Sequence, residues 1–510
     1  MKLQRRTFRV FWDVHAWAGV ISALLLYLMF FAAAFALFHP ELNDWAEPRS
    51  NAAAHEPPSL QPLLVQLVRE QRARAPTHIG FWRHDSALMA DLRGSEGERQ
   101  FRYASDRKQL EPLRSNLGSF LYELHYLGPI PYGIYLAGLA AMAMCLALVT
   151  GVLIHLKDLV RQWFQFRPRC AARTWASDMH KLLGIFGLPF QLFYAWSGAV
   201  LCLAYVAVQP AFTATVFRGD QTAALATRGY TEAPPPTGKH SSRLVDLDAL
   251  LVRARALLPG LEPEYVALEN PFDEASVVQI YGTQSQFTFG NAALTLRASD
   301  GQLLHASSFA SASALQRFEA WFYGLHYAEF GGYGVKWVYA LLALATCAVI
   351  GTGNLVWLER RDRARAQLGN RVLSRLTVGV VSGVPLAVAT LFVANRSLPA
   401  ALLNRTTVEQ AVFWIALAVA LLCPFLVRSD RRVAGRQLAL AGALFALALF
   451  VDLLTRQPLL ADAVQRGVAS ALLLLAALCL AAGIRLLRPS SRAAPRSPEC
   501  DARTLASAGE

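Results

Sequence analysis

Asp13-Val-His15-Ala-Trp-Ala-Gly19 opens one long apolar run, and Asp178-Met-His180-Lys-Leu-Leu-Gly184 opens another. Both read D-x-H-x-x-x-G. Two further motifs recur in the same order. Phe120-Leu-Tyr-Glu-Leu-His125-Tyr126 and Trp321-Phe-Tyr-Gly-Leu-His326-Tyr327 share aromatic-x-x-x-L-H-Y, and each leads into a later apolar run. Those runs end on Thr150-Gly151-Val-Leu-Ile-His155 and Thr352-Gly353-Asn-Leu-Val-Trp357. Three matched motifs in one order make the first 360 residues two copies of one unit.

The runs are long enough to cross a bilayer, which takes about 20 mostly apolar residues. Candidate spans are 10–38, 134–155, 182–208, 335–358, 376–394, 411–427, 438–451 and 467–487, the seventh being the shortest. Charged residues make up 17% of the 510-residue chain, against roughly 25% in a soluble protein. The formal charge of +13 needs no nucleic acid to explain it, because the basic residues flank apolar runs. Lys157, Arg161, Arg167, Arg169 and Arg173 fill one loop, and Arg360, Arg361, Arg363, Arg365 and Arg371 another. Arg428, Arg431, Arg432 and Arg436 form a third, and Arg485, Arg488 and Arg492 follow the last span. All fall on one side if both termini are cytoplasmic. The run after Lys2, Arg5, Arg6 and Arg9 is too long for a signal peptide and reads as a retained first span.

The fold expected is therefore an all-α polytopic membrane protein of about eight transmembrane helices, in the bacterial inner membrane, with two small periplasmic α+β modules. The division is 1–39 first span; 40–130 first module; 131–208 spans two and three with a cytoplasmic loop; 209–333 second module; 334–360 fourth span; 372–488 four additional spans; and 489–510 a disordered cytoplasmic tail. Each module opens with an amphipathic helix, 59–74 or 246–258. Alternating stretches follow at 87–92 and 100–103 in the first, and at 276–281 and 293–297 in the second. Asp300-Gly301 is a hairpin signal.

Ionisable groups inside a membrane are costly and usually functional. In an up-and-down bundle of the first four spans, His15 would face His180 near the cytoplasmic end, and His125 would face His326 near the periplasmic end. Haem iron accepts an imidazole on each axial side. Two non-covalent b-type haems would result, since no C-x-x-C-H motif is present. His155 has no counterpart, because Trp357 takes its place. It either replaces His15 or His180 as a ligand or touches a haem propionate. His39 is a further alternative ligand. The bland reading makes these residues interfacial or capping, with Asp13 and Asp178 as N-caps. His55, His78, His84, His240 and His305 read as solvated. Gly19, Gly184, Gly151 and Gly353 would let a helix or a flat macrocycle approach the backbone.

These motifs, together with Phe164-Gln-Phe166-Arg167-Pro168, Leu188-Pro189-Phe190 and Ser197-Gly198, resemble the PepSY-associated transmembrane proteins, often called iron-regulated membrane proteins. The resemblance covers roughly residues 8 to 360. It implies a four-helix membrane core with periplasmic PepSY-like modules. Some members look like dihaem reductases that reduce ferric siderophores and release Fe(II); by that analogy His15, His180, His125 and His326 are the haem ligands. The chain departs from the family in its four extra histidine-free spans. Gln191 stands where some relatives carry His, and no flavin or nicotinamide domain or dinucleotide motif is visible.

The leading expectation is transmembrane electron transfer. A quinol or a cytoplasmic reductase would reduce the inner haem, the electron would pass to the outer haem, and a ferric siderophore or other ferric chelate held by the periplasmic modules would accept it. Arg83, Arg99, Arg102, Arg107 and Lys108 would attract an anionic chelate, or simply form a solvated face. The rival is a non-enzymatic PepSY-type regulator or assembly partner, which predicts no haem absorbance. A transporter ranks last, because the C-terminal spans read as lacking intramembrane charge pairs.

Overall fold

A computed structural model describes residues 5–488 apart from 48–57, 72–75, 85–86, 96, 105–106, 157–165, 168–171, 242–243, 361–366 and 456–462. The expected disordered tail, and the basic residues Lys157, Arg161, Arg169, Arg361, Arg363 and Arg365, lie outside the described residues. The chain divides into two units, one of residues 1–46, 115–206 and 333–510, the other of 47–114 and 207–332.

Among the described residues, eight helices are long and apolar enough to span a membrane: Arg5–Ala36, Gly133–His155, Leu188–Val216, Gly332–Arg360, Leu368–Ser397, Arg405–Leu426, Asp430–Thr455 and Ala463–Leu487. They are numbered one to eight below. The seventh is 26 residues long, well beyond its apolar run, because Asp430 to Arg436 continue the helix at one end. The third is interrupted. A helix Ala172–Phe186 carries His180 and stops at Gly187, and a second helix starts at Leu188 with Pro189 in its first turn. Proline has no N–H to donate into the preceding turn and suits a helix start. The span then passes into a π-helix over Val200–Val208, so the single helix expected from residue 182 is broken in two places.

The C-terminal helices carry ion pairs beyond the apolar runs 376–394, 411–427 and 438–451. Arg396 of span five meets Asp452 of span seven at 3.2 Å, and Arg405 meets Glu409 within span six at 3.0 Å. All four side chains are buried. They lie near helix ends, where the apolar windows used to find spans stop, so hydropathy alone passes over them. The Arg396 guanidinium also lies 3.8 Å from the centre of the Trp45 indole ring, whose Nε1–H donates to Asp452.

The second unit corrects a larger expectation. The two inserts do not form separate modules; they build one eight-stranded antiparallel sheet. Its strands are β1 (His78–His84), β2 (Ala87–Gly94), β3 (Gly97–Ala104), β4 (Gln109–Pro112), β5 (Leu261–Glu269), β6 (Val277–Gln284), β7 (Asn291–Arg297) and β8 (Leu303–Ser307). The order is β4-β3-β2-β1-β5-β6-β7-β8. Each half alone would leave its first strand as an open edge, and pairing β1 with β5 closes both. Helices Leu60–Gln71 and Leu247–Leu257 pack on the face that carries Ile79, Leu92, Leu268 and Ile280. They also cap each other: Asp248 accepts from the backbone N–H groups of Leu60 and Gln61, and Gln61 accepts from that of Leu247.

His78 is buried at this seam, not solvated. Its Nδ1 is 2.6 Å from Glu269 across the β1–β5 pair, its Nε2 is 2.8 Å from the Tyr265 hydroxyl, and Asp91 stands 3.3 Å away. Burial alone would lower its pKa. The hydrogen bonds to Asp91 and Glu269 and the charges of both outweigh burial and raise it to about 9. A folded-state pKa above the ordinary value of about 6.5 makes protonated His78 stabilising below that pH, and the contribution disappears as pH rises through about 9. Hydrogen exchange of the β1 and β5 amides, corrected for intrinsic rates, should show protection falling from pH 6 to pH 10, and His78→Gln should flatten that fall.

Candidate functional site

The duplicated D-x-H motif docks on the duplicated T-G motif. His15, on span one, places Nδ1 2.7 Å from the carbonyl oxygen of Ala147 on span two. His180 places Nδ1 2.9 Å from the carbonyl oxygen of Val349 on span four. Each carbonyl belongs to the residue four before the motif glycine. A carbonyl can only accept, so Nδ1 carries the proton in both imidazoles and Nε2 keeps its lone pair. The same carbonyls accept from Thr150 at 3.1 Å and Thr352 at 3.0 Å.

The glycines make this approach possible. A Cβ at Gly151 would stand 3.0 Å from His15 Cε1, and one at Gly353 would stand 3.0 Å from His180 Cε1. Gly19 and Gly184, one turn beyond the histidines on the same helix faces, have no atom within 4 Å of where a Cβ would be. Two of the four small residues thus seat the imidazoles, and the other two border open space.

The His15 and His180 rings are neighbours, with centroids 6.1 Å apart and planes at 74° to each other. With metal–imidazole bonds of about 2 Å, two rings on opposite sides of one metal put their centroids roughly 6 Å apart. Neutral imidazoles, fixed tautomers and this spacing are what a metal between two axial histidines requires. Among the described residues no group of three or more His, Cys, Asp or Glu side chains could hold a metal ion by itself. His155 ends span two one turn after Gly151 and lies within electrostatic reach of His180.

Asp178 is no N-cap. It lies inside the helix Ala172–Phe186 with its side chain wholly buried, and it accepts from Arg167 Nε at 2.9 Å, Nη2 at 3.0 Å and the backbone N–H at 3.1 Å. Arg167 therefore clamps the helix that carries His180. Asp13, the counterpart, is exposed. The pairing escaped the sequence reading because the two residues were considered separately, one as a loop cation and one as a cap.

The other expected ligands fall in different units. In the first, Gly118 lets the helix Leu117–Leu124 lie against His39–Ala46; a Cβ there would stand 2.0 Å from the His39 carbonyl oxygen. The contact brings Tyr122 against His39 in a tilted arrangement, with ring centroids at 4.6 Å, and His125 follows at 5.0 Å from Tyr122. The Nδ1–H of His125 donates to the Tyr122 carbonyl. Burial pushes its pKa down to about 4, so the imidazole is neutral with Nε2 as its acceptor. His326 belongs to the second unit, where it ends the helix Ala314–His326 and is buried against Tyr327.

Gln191 sharpens the departure seen in the sequence. It is buried in span three, and neither polar atom of its amide has a hydrogen-bond partner among the described residues. Each unsatisfied buried group costs about 1–3 kcal/mol. Gln191 lies in the helix that starts at Leu188, beyond the break at Gly187 that ends the helix bearing His180.

The sequence matches the description "PepSY-associated TM region" over residues 12–360. It is also 30% identical over 323 residues to a Pseudomonas aeruginosa protein described as uncharacterised, covering 60% of this chain and 78% of that one. The match stops before the last four spans. If Arg167 holds the His180 helix, Arg167→Ala should lower stability by about 2–3 kcal/mol. That is less than the about 3–5 of a fully buried pair, because Arg167 is about a third exposed. Thermal unfolding in detergent would read this, and Arg167→Lys should recover only part of it.

Proposed function

The chain belongs to the PepSY-associated transmembrane family, and we propose that it is a membrane electron-transfer protein that holds haem between His15 and His180. The observation that carries the proposal is the closeness of these two imidazoles, with centroids 6.1 Å apart, each with Nδ1 committed to a helix carbonyl. A haem bound there supplies reversible one-electron exchange. The chain's own residues hold it. The Ala147 and Val349 carbonyls fix the ligand tautomers, Gly151 and Gly353 admit the rings, and the Arg167–Asp178 pair steadies the His180 helix. His155 is the substitute ligand or the contact for a propionate.

The duplication extends the proposal to a second b-type haem at His125 and His326. Electrons come from a membrane quinol or a cytoplasmic reductase and leave to a ferric siderophore or similar chelate in the periplasm, in a bacterial inner membrane with both termini cytoplasmic. The regulatory alternative uses the same fold without haem. The placement of His15 and His180 with both Nδ1 atoms on helix carbonyls favours the haem reading.

Absorption spectra of detergent-purified protein, oxidised and dithionite-reduced, test this. Bis-imidazole haem bands at two haems per chain are expected, and their complete absence leaves the regulatory reading. His15→Ala and His180→Ala should each remove about half the haem absorbance. Gly151→Val, which forces the His15 ring away, should lower haem retention without removing a ligand, and full retention would count against the assigned geometry.

A further inference from the structure

A second site lies within the membrane unit, at the end of the spans opposite His15. A cavity of about 280 Å³ opens between spans one, four, five and eight. Its walls include Phe35, Phe38, Trp337, Phe392 and Leu475, and its polar edge is Glu41. Glu41 is buried and pairs with Lys336 at 3.5 Å. Leu341 and Leu474 also line it and are exposed on the helix surfaces, so the cavity communicates with the lipid-facing side. Spans five and eight lie outside the family match, so the added helices complete this cavity.

We infer that this cavity binds the head of an isoprenoid quinone or quinol. The ligand must be apolar enough to enter from lipid, flat enough to lie among the tilted Phe38 and Trp337 rings, 5.1 Å apart, and able to form polar contacts at one end. A quinone carbonyl can accept from the Lys336 ammonium, and a quinol hydroxyl can donate to the Glu41 carboxylate. The cavity has room for the ring, and the tail leaves past Leu341 and Leu474. An acyl chain would use the apolar walls but leave the buried ion pair without a role. A charged pair on an apolar membrane cavity marks a functional site by default. As the seat of an electron donor the inference rests on the electron-transfer reading; as a binding site it does not.

The test is a titration of full-length protein in nanodiscs with decylubiquinone and decylubiquinol. Gly467 lines the cavity, and a Cβ there meets nothing within 4 Å, so Gly467→Phe fills the space without displacing backbone. Saturable binding to the wild type is expected, weakened at least about tenfold by Gly467→Phe. Glu41→Gln should weaken the quinol more than the quinone. Photolabelling of the wild type with an azido-quinone should mark peptides of residues 35–42 or 464–475. No binding, labelling confined to other peptides, or undiminished binding in a natively folded Gly467→Phe overturns the inference. So does native mass spectrometry in which the filled variant loses a co-purified phospholipid and keeps quinone. Haem content separates the two proposals: quinone binding without haem sinks only the electron-transfer reading, and haem without quinone binding sinks only this one.

Discussion

A ring N–H held by a helix carbonyl governs the membrane unit. Backbone carbonyls inside a helix are already engaged by the N–H four residues on, yet each keeps a second lone pair. At Ala147 and Val349 that lone pair faces outward through a notch left by a glycine. The notch admits an imidazole edge-on, and the bond then orients the ring and selects its tautomer. A Cβ at Gly151 or Gly353 would already press on the imidazole at 3.0 Å, and a branched side chain would narrow the notch further. The constraint thus ties together residues more than 130 positions apart in sequence, twice, and makes the pairing of span one with two and of the His180 helix with span four a condition of the site.

The two ends of this unit use polar groups differently. Near His15 and His180 the imidazoles are held by backbone carbonyls, and the buried Asp178 is held by Arg167. At the other end the buried groups are charged and mutually satisfied. Arg396, Asp452 and Trp45 form one cluster, and Arg405, Glu409, Asn395 and Ser115 another. Trp45 and Ser115 belong to the duplicated core, whereas the arginines and carboxylates sit on the added spans. The charges therefore fasten spans five, six and seven to the core at one end, while apolar packing through Phe35, Phe392 and Phe445 continues the join.

Sequence alone revealed the eight spans, because each carries an apolar run long enough to read by itself. It also revealed the His15–His180 pairing, because the duplication supplied the register. Three features were out of its reach. β1 and β5 were missed because His78-Ile-Gly-Phe-Trp and Leu261-Glu-Pro-Glu-Tyr interrupt apolar alternation with Gly, Pro and charge. His78 was taken as solvated because its three polar partners come from two other strands. The Asp178–Arg167 pair was missed because neither residue announces a buried partner eleven positions away. In each case the deciding interaction is set by where strands and helices meet, which local pattern does not encode.

The pairing of β1 with β5 carries a geometric consequence. These are the first strands of the two inserts, and they run antiparallel with Gly80 opposite Ala267 at the middle of the register. Equivalent strands meeting antiparallel are what an isologous contact about a twofold axis produces. The seam between the two copies thus reproduces, within one chain, the contact that two separate subunits would make about a twofold axis.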